Sequence, residues 1–320
     1  MRPSLVQLVT DFLGLDRSTV EEMAQKAPIT YRHYQIRKKR GGFRTIYHPS
    51  KETKSLQYAL MHLLGKVLEP DSSAMAFRRG FESPLRKNAE AHAQFPYTLR
   101  IDFKDFFPSI TPDDLFAAME GPNNPAKMQL SFDERAFLKQ VFFVRQKDGN
   151  LGLPIGAPAS PLLSNAVMRS LDLAIKDYAT RHDFVYTRYA DDLVFSTATK
   201  GVSRDFLTGL RAVIANSEHP KPTINEPKTL FMSRNARRVV TGLTINPDGT
   251  LSIGRKPKRY LRRLLNHFRY RRLDDHEKHS LQGHLAFILD VEPGLYNRLC
   301  QKYGAGLVLD ALKQRGDKQA

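Results

Sequence analysis

The feature that most constrains the fold of this chain is a pair of adjacent acids, Asp191-Asp192, between two runs of strand-forming residues. The runs cover residues 186–189 and 193–195, so the pattern predicts a tight β-hairpin with both carboxylates at its exposed corner. Adjacent carboxylates repel each other, and such a pair is unfavourable unless a cation neutralises it. Two interpretations follow: a polar β-turn, in which Asp is common, or a cation site.

A third acid, Asp102, ends a predicted apolar strand that covers Tyr97–Asp102. Mg²⁺ prefers hard oxygen ligands from carboxylates and phosphates. Two such ions, roughly 3.5–4 Å apart, can hold the attacking and leaving oxygens of a phosphoryl displacement. Acids from two neighbouring strands are a simple way to bind these ions. The three acids together therefore predict a two-metal phosphoryl-transfer site, although Asp102 alone would also suit a cap after the strand.

The charge balance predicts a polyanionic partner. Lys and Arg total 50 against 33 acids, which gives a net charge of +17, and the basic residues cluster at 37–40 and 255–272. The second cluster surrounds apolar residues at helical spacing, so it also fits a solvated amphipathic helix. The single cysteine excludes a disulfide within the chain and a thiolate zinc site. Without a signal peptide or a transmembrane-length apolar run, we expect a cytoplasmic protein with no membrane partner.

The order of the predicted elements is typical of an α+β protein. β-Hairpins are predicted over residues 31–47 and 239–253, and helices over 161–178, 203–214 and 257–270. Strands and helices alternate in the middle of the chain, and a helical region follows them. No linker separates two halves, which favours one continuous unit with subdomains.

Three segments, in this order, resemble the palm motifs of reverse transcriptases: RIDFKDFF (100–107), LPIGAPASP (153–161) and YADD (189–192). NAEAH (88–92) and VTG (240–242) are similar to the Asn-Ala-x-x-His and Val-Thr-Gly elements of retron reverse transcriptases. RTIYHP (44–49) and FRRGF (77–81) resemble the finger region of the same group. The similarity spans roughly residues 25–300.

This resemblance implies a right-hand polymerase with fingers, a palm made of an antiparallel sheet with flanking helices, and a helical thumb. We expect an N-terminal helical segment over 1–25 and the first part of the fingers over 26–96. The palm would cover 97–245, with inserted finger elements at about 120–165, and 246–320 would be a thumb that binds RNA and duplex.

The resemblance also implies roles in catalysis. Asp102 and Asp191 would bind two Mg²⁺ ions, for which Mn²⁺ is a possible substitute, and Asp192 would complete the acidic set. Phe107 matches the steric gate that excludes a ribose 2′-hydroxyl, although a Phe after a strand is usually part of the core. The implied nucleotide-binding residues are Arg44, Asp105, Phe106, Phe107, Gly156 and Lys228.

Several of these nucleotide contacts have specific expectations. Arg44, with a cation such as Lys39, would grip the triphosphate, although either residue could also be a solvated surface charge. Asp105 would offer its main-chain amide, or it would cap the next turn. Lys228 would protonate the leaving pyrophosphate, and Gly156 would allow backbone to approach the nucleotide. Ile155 stands where many relatives have Gln, which puts a polar nucleotide or template contact there in doubt.

The family-specific elements and the basic helix are implied to contact RNA. The expected RNA-binding residues are Asn88, His92, Val240, Thr241, Gly242, Arg255, Lys258, Arg262 and Arg263. His92 also fits a second interpretation, in which it is a hydrogen-bond partner within a structural element.

The function implied by the resemblance is RNA-directed DNA synthesis from deoxynucleoside triphosphates. A retron enzyme copies part of a cognate structured noncoding RNA, starting from a 2′-hydroxyl of an internal guanosine, into branched RNA–DNA (msDNA). Such systems usually act in bacterial phage defence with a separate effector protein. The alternatives are a group II intron-like reverse transcriptase, a non-catalytic RNA-binding component of a defence complex, and an unrelated metal-dependent phosphotransferase or nuclease.

Overall fold

The computed structural model describes residues 2–38, 41–78, 80–146 and 148–313. The chain forms two compact units. Unit 1 comprises Met1–Arg79, Leu99–Phe195 and Lys200–Leu230, and unit 2 comprises Gly80–Thr98, Ser196–Thr199 and Phe231–Ala320. Because each unit is assembled from separate stretches of chain, neither could be delimited by a single cut in the sequence.

Both units contain helices, which alternate along the chain with the β-strands. In chain order the α-helices are α1 (Leu5–Leu13), α2 (Arg17–Lys26), α3 (Lys51–Leu63), α4 (Pro84–Glu90), α5 (Phe106–Ser109), α6 (Pro112–Glu120), α7 (Phe132–Phe142), α8 (Ser160–Arg181), α9 (Ser203–Ala215), α10 (Arg255–Arg269), α11 (Asp275–Val291), α12 (Pro293–Tyr303) and α13 (Ala305–Lys313).

Within the part of the chain that the structure describes, the strands are short and form four sheets. They are β1 (Arg32–Arg37), β2 (Phe43–His48), β3 (Tyr97–Asp102), β4 (Val144–Arg145), β5 (Leu151–Gly152), β6 (Val185–Tyr189), β7 (Asp192–Thr197), β8 (Leu230–Ser233), β9 (Arg238–Val240), β10 (Leu243–Ile245) and β11 (Leu251–Ser252). The largest sheet has the order β6-β7-β3-β8, and a three-stranded sheet has the order β11-β10-β9. Strands β1 and β2 form one two-stranded sheet, and β4 and β5 form another.

The predicted hairpin over residues 31–47 is confirmed. Strands β1 and β2 pair antiparallel, in a register that runs from Arg32 opposite His48 to Arg37 opposite Phe43. In the region around 239–253 the predicted β10–β11 hairpin is present, and β9 adds a strand that the sequence pattern had not separated. Val240, Thr241 and Gly242 therefore lie at the tight connection between β9 and β10.

The core of unit 1 is one cluster of buried apolar residues from the large sheet and from several helices, of which α8 is the longest. The buried residues Leu163, Val167, Leu171 and Ile175 recur along α8 at helical spacing, so they form one apolar face. Helix α6 contacts α8 and begins with a complete capping box, in which Thr111 and Asp114 bond each other's backbone amides. The long predicted helix over 161–178 is confirmed and extends slightly at both ends.

Unit 2 contains the basic helix that the sequence predicts. Helix α10 begins at Arg255 and buries Leu261, Leu264 and Leu265, while its basic residues cover the other faces. Lys258 Nζ donates to Glu292 Oε1 at 2.7 Å, and the amide of Ile253 donates to Glu292 Oε2 at 3.0 Å. Glu292 thus ties the start of α10 to the end of α11. None of the described helices is both long and apolar enough to cross a membrane.

Candidate active site

The order of the large sheet brings the three predicted acids to one edge. Strand β3 ends at Asp102, and its neighbour β7 begins at Asp192. The amide of Phe103 donates to the carbonyl oxygen of Asp191 at 3.0 Å, which joins the end of β3 directly to the hairpin corner. The prediction that these acids come from two neighbouring strands is confirmed.

The corner itself is a two-residue connection, Ala190-Asp191, between β6 and β7. Ala190 has φ of 58°, in the left-handed region that residues with a Cβ rarely adopt. Such a conformation costs on the order of 1–2 kcal/mol, but it matches the twist of a two-residue hairpin. The turn therefore places Asp191 in the connection and Asp192 at the first position of β7, and both acids are half-buried, whereas the sequence predicts an exposed corner for them.

Asp102 is buried and strongly hydrogen-bonded. Its Oδ1 accepts from Lys228 Nζ at 2.6 Å and from Asn225 Nδ2 at 3.0 Å, and its carbonyl oxygen accepts from the amide of Asn225 at 2.8 Å. Lys228 and Asn225 belong to the short segment before β8, the other neighbour of β3 in the sheet. The segment that leads into β8 thus supplies a positive charge, that of Lys228, to the acid that ends β3.

The charged forms of Asp191 and Asp192 are disfavoured in their surroundings. Burial raises the pKa of Asp191, and repulsion from Asp102 raises it further. Burial also raises the pKa of Asp192 to about 6, although the Arg100 guanidinium, with Nε 3.6 Å from Asp192 Oδ1, opposes that shift. A cation bound among these carboxylates would relieve both the repulsion and the cost of burial.

The donor chemistry fits a divalent cation of the magnesium type, because the site offers carboxylate oxygens and no thiolate. As the side chains stand, Lys228 and Arg100 neutralise two of the acids. No cluster of three or more acidic, histidine or cysteine side chains within the described ranges is already arranged as a ligand set.

A buried polar network lies beneath the corner. The Arg188 side chain is fully buried, and its Nη1 donates to the carbonyl oxygen of Ala190 at 3.1 Å and to Asn165 Oδ1 at 3.0 Å. Its Nε and Nη2 donate to the two carboxylate oxygens of Asp172 at 2.8 and 2.5 Å, and Tyr186 Oη donates to Asp172 Oδ1 at 2.7 Å. The network fastens the hairpin turn to helix α8.

The fingertip residues that were predicted to bind nucleotide lie on the β1–β2 hairpin and beside it. Arg44 is exposed and close enough to Asp191 to oppose the rise in its pKa. Lys39 lies outside the described residues. The amide of Tyr47 donates to the carbonyl oxygen of Ile155 at 2.7 Å, so Ile155 anchors the hairpin through its backbone.

Gly156 has a packing role in addition to the predicted one. Its φ is +108°, and a Cβ at this position would lie 2.8 Å from Ile46 Cγ2 and 3.1 Å from the Tyr47 carbonyl oxygen. The hairpin itself therefore requires glycine here. Close approach of a nucleotide to this backbone stays a prediction.

The segment after β3 carries the remaining nucleotide-binding candidates. Asp105 is exposed, has φ of 45° and stands at the N-cap position of α5, where its carbonyl oxygen accepts from the amide of Ser109 at 2.9 Å but its side chain makes no cap bond. The contact of its main-chain amide with a nucleotide stays a prediction. Phe106 is buried in the core. Phe107 is half-buried and contacts the Phe106 ring at a centroid distance of 5.5 Å. Of these rings, only Phe107 presents a surface to a ligand.

The retron-like elements meet inside unit 2. Asn88, His92 and Val240 are fully buried, so in this structure their side chains offer no surface to RNA. His92 Nδ1 is 3.0 Å from Ser196 Oγ, and Thr241 Oγ1 donates to the Leu85 carbonyl oxygen at 3.0 Å. This arrangement supports the alternative in which His92 is a hydrogen-bond partner, and any influence of these side chains on RNA would be indirect.

The predicted RNA-binding residues of α10 are not equivalent. Arg255 and Arg262 are exposed, and neither takes part in the ion pairs formed between described residues. Arg263 lies over the Tyr260 ring at 5.1 Å and is 3.3 Å from Glu277 Oε1. Lys258 is half-buried and paired with Glu292. Arg255 and Arg262 are therefore the most available to a nucleic-acid backbone.

Sequence reasoning assigned no role to Arg100, Arg188 or Asn225, although all three touch the acidic residues or their turn. A signal existed for Arg100, because it is two residues before Asp102 on a strand and so shares its face. For Arg188, the pattern of a strand does not reveal whether an arginine is buried. Asn225 becomes relevant only once β8 is known to lie beside β3.

Comparison with known proteins gives consistent matches. The family described as "Reverse transcriptase (RNA-dependent DNA polymerase)" matches residues 36–261. The Retron Ec83 reverse transcriptase of Escherichia coli is 32% identical over 281 residues, covering 87% of this chain and 88% of that protein. The Retron Ec86 reverse transcriptase of Escherichia coli is 34% identical over 289 residues, covering 88% and 82%.

Among solved structures, apo telomerase from Candida tropicalis aligns with a TM-score of 0.52 and 12% identity, covering 90% of this chain and 63% of that chain. At this identity the likeness concerns the fold alone. It agrees with the predicted α+β polymerase architecture.

Proposed function

The chain belongs to the retron reverse transcriptases, a family of RNA-directed DNA polymerases, and we propose that it makes branched RNA–DNA (msDNA) from a cognate structured noncoding RNA. Synthesis would start from a 2′-hydroxyl of an internal guanosine. The hydroxyl at the growing end attacks the α-phosphate of each deoxynucleoside triphosphate, and pyrophosphate leaves.

The observation that carries the polymerase chemistry of this proposal is the meeting of Asp102, Asp191 and Asp192 where β3 ends and β7 begins, with the pKa of the last two raised by burial. The branched product is proposed from the similarity to retron reverse transcriptases. We assign these carboxylates to two Mg²⁺ ions, with Mn²⁺ as a substitute. The ions would supply the positive charge that stabilises the attacking and leaving oxygens. Lys228, now bonded to Asp102, would be released to serve the leaving pyrophosphate.

The remaining residues act on the nucleotide and the template. Arg44 would bind the triphosphate, the Asp105 amide would donate to it, and the Phe107 ring would exclude a ribose 2′-hydroxyl. In this proposal unit 2 carries the thumb, residues 246–320, whose exposed arginines hold the RNA and the growing duplex by their phosphates. The rest of the chain would divide into an N-terminal helical segment (1–25), fingers (26–96) and palm (97–245).

The biological setting that we propose is phage defence in the bacterial cytoplasm, with a separate effector protein as third component. No part of the catalytic proposal depends on this setting. The alternatives of a group II intron-like enzyme and of a non-catalytic RNA-binding component predict different nucleic acids on the purified protein, so one experiment separates them.

The test is to purify the protein from its native host and analyse the nucleic acid that accompanies it, with RNase, DNase and a debranching enzyme. A short DNA joined to RNA by a debranchable 2′–5′ bond supports the retron product. RNA alone, together with polymerase activity on an added primer and template, would keep the polymerase and refute the branched product. RNA with no magnesium-dependent synthesis would favour the non-catalytic component.

The acidic site has its own test, the substitution Asp191→Asn. We expect DNA synthesis to fall by at least about a thousandfold, because a neutral amide neither binds Mg²⁺ well nor stabilises the developing charge. The control is Asp177→Asn on α8, whose carboxylate is exposed and paired with Arg181. Full activity in the Asp191 variant, with circular dichroism unchanged, would refute the site.

A further inference from the structure

The segment 73–77, here called the gate-support loop, is fastened to the hairpin that carries the acids. The amide of Met75 donates to the Arg188 carbonyl oxygen at 2.7 Å, and the amide of Arg188 donates to the Ser73 carbonyl oxygen at 2.8 Å. Asn165 Nδ2 donates to the carbonyl oxygen of Ala76 at 2.7 Å. The loop therefore runs beside β6 like an extra, parallel piece of strand, with Ala74 opposite Arg188.

The anchoring is internal, whereas the end of the loop is exposed. Ala74 and Ala76 are buried, but Phe77 keeps 44% of its surface. Its φ is 58°, a left-handed conformation that is rare for a bulky residue and costs on the order of 1–3 kcal/mol. A large apolar ring in such a conformation, so exposed, gains little by folding alone. The anchored loop thus holds a phenylalanine ring that the core only partly covers.

The Phe77 ring lies against Phe107. Their centroids are 6.4 Å apart at an interplanar angle of 47°, within the range of an aromatic pair. Phe107 also contacts the Phe106 ring, and Phe106 in turn stacks on Phe103 at 6.1 Å. Phe106 belongs to the buried core, so Phe107 has a fixed ring as one neighbour and the exposed ring of Phe77 as another.

We propose that Phe77 is a positioning residue for sugar selection: its ring holds the Phe107 ring in the orientation that excludes a ribose 2′-hydroxyl. This inference rests on the gate role of Phe107 in the proposed function. It adds that selectivity depends on a residue from a different part of the chain, set by the anchored gate-support loop. Removing Phe77 takes away one of the two ring contacts that orient Phe107 and leaves the contact with Phe106.

The experiment measures kcat/KM for a deoxynucleotide and for the matching ribonucleotide on the same RNA template and DNA primer. We expect Phe77→Ala to lower the ratio of the two values by about tenfold, the loss expected when one aromatic pair no longer fixes the ring. Phe77→Tyr keeps a ring and should keep the wild-type ratio. The control is Phe132→Ala, an 86% exposed phenylalanine at the start of α7, which should leave the ratio unchanged.

The variants Phe107→Ala and Phe77→Ala/Phe107→Ala distinguish a failure of the Phe77 role from a failure of the Phe107 gate. If Phe77 acts through Phe107, the double variant should show the same ratio as Phe107→Ala. A normal ratio in Phe77→Ala, beside a lowered one in Phe107→Ala, overturns the role of Phe77 and leaves the gate intact. A normal ratio in Phe107→Ala removes the gate itself and the inference with it. Additive losses would overturn the route through Phe107. Phe77→Leu, which keeps apolar bulk without the ring, replaces the alanine variant if that one melts at a lower temperature.

Discussion

His92 illustrates how much a single residue depends on its surroundings. Its ring is fully buried beside Ser196, whose hydroxyl is also 2.9 Å from Thr98 Oγ1. Burial lowers the pKa of His92 to about 3, and the nearby positive charge of Arg238 contributes to the shift. Arg238 is itself buried, and its guanidinium donates to the carbonyl oxygens of Phe95, Ala93 and Asn246. The neutral imidazole therefore belongs to the interior of unit 2.

This burial predicts a loss of stability in mild acid. In the unfolded chain His92 is protonated below a pH of about 6.5, whereas in the folded protein its pKa is about 3. Between these two pH values unfolding therefore binds a proton, which favours the unfolded state. Between pH 7.5 and pH 5 this residue should remove about 2 kcal/mol from the free energy of unfolding.

The measurement is urea unfolding at both pH values. His92→Gln should show a smaller drop between them than the wild type does, and the exposed His276→Gln serves as control. An equal drop in the wild type and in His92→Gln would show that His92 is protonated, or accessible to water, in the folded protein.

At the scale of elements, the Arg188–Asp172 pair joins strand β6 to helix α8 beneath the acidic corner. Both side chains are fully excluded from solvent, with Arg188 Nη2 2.5 Å from Asp172 Oδ2. Burial opposes the charge on Arg188, but the adjacent carboxylate keeps its pKa above the usual value. Since the same guanidinium also bonds the turn and Asn165, it connects the helix, the hairpin and the gate-support loop.

Removing one partner of this pair should lower the free energy of unfolding substantially. Arg188→Met leaves the Asp172 carboxylate buried without its counter-charge, and we expect a loss of about 3–5 kcal/mol in the free energy of unfolding. Arg181→Met breaks the Arg181–Asp177 pair of the same helix, which is about two-thirds exposed on both sides, and should cost less than about 1 kcal/mol. Denaturant titration of the two variants makes the comparison. Similar small losses in both would mean that water reaches the buried pair.

At the scale of the whole molecule, the net charge of +17 is spread over both units, but its exposed share on α10 is the part that we assign to RNA. Each phosphate contact releases counterions, so the binding affinity falls as salt rises. Losing one contact makes the slope of log affinity against log salt less steep, by about 0.7 for single strands and about 0.9 for duplex. The double variant Arg255→Gln/Arg262→Gln should therefore reduce that slope by about 1.5.

Fluorescence anisotropy with a labelled RNA hairpin, at several salt concentrations, measures the slope. Arg17→Gln/Lys26→Gln removes the same charge from α2, where both cations form ion pairs within the helix, and should change the slope little. If both double variants changed the slope equally, RNA binding would depend on the overall charge of the protein, and α10 would not be a specific RNA-binding surface.

Much of the architecture is encoded locally. Asp191-Asp192 between strand-forming runs predicted the hairpin corner, Gly41-Gly42 as a turn within 31–47 predicted the β1–β2 hairpin, and the apolar spacing in 257–270 predicted α10. These predictions are confirmed because side-chain periodicity and turn chemistry act over a few residues, independently of what packs against them. The family motifs, which are equally local, led to the same polymerase family that the comparisons identify.

What only the tertiary structure decided is which distant residues meet. β3 lies between β7 and β8, so Asp102 meets the corner on one side and Lys228 with Asn225 on the other. Whether Arg188 and His92 are buried, and therefore paired or neutral, depends on elements far away in sequence. A charge or an imidazole has the same local pattern at a surface and in a core. Its energy is set by desolvation and by long-range partners, and these exist only once the chain has folded.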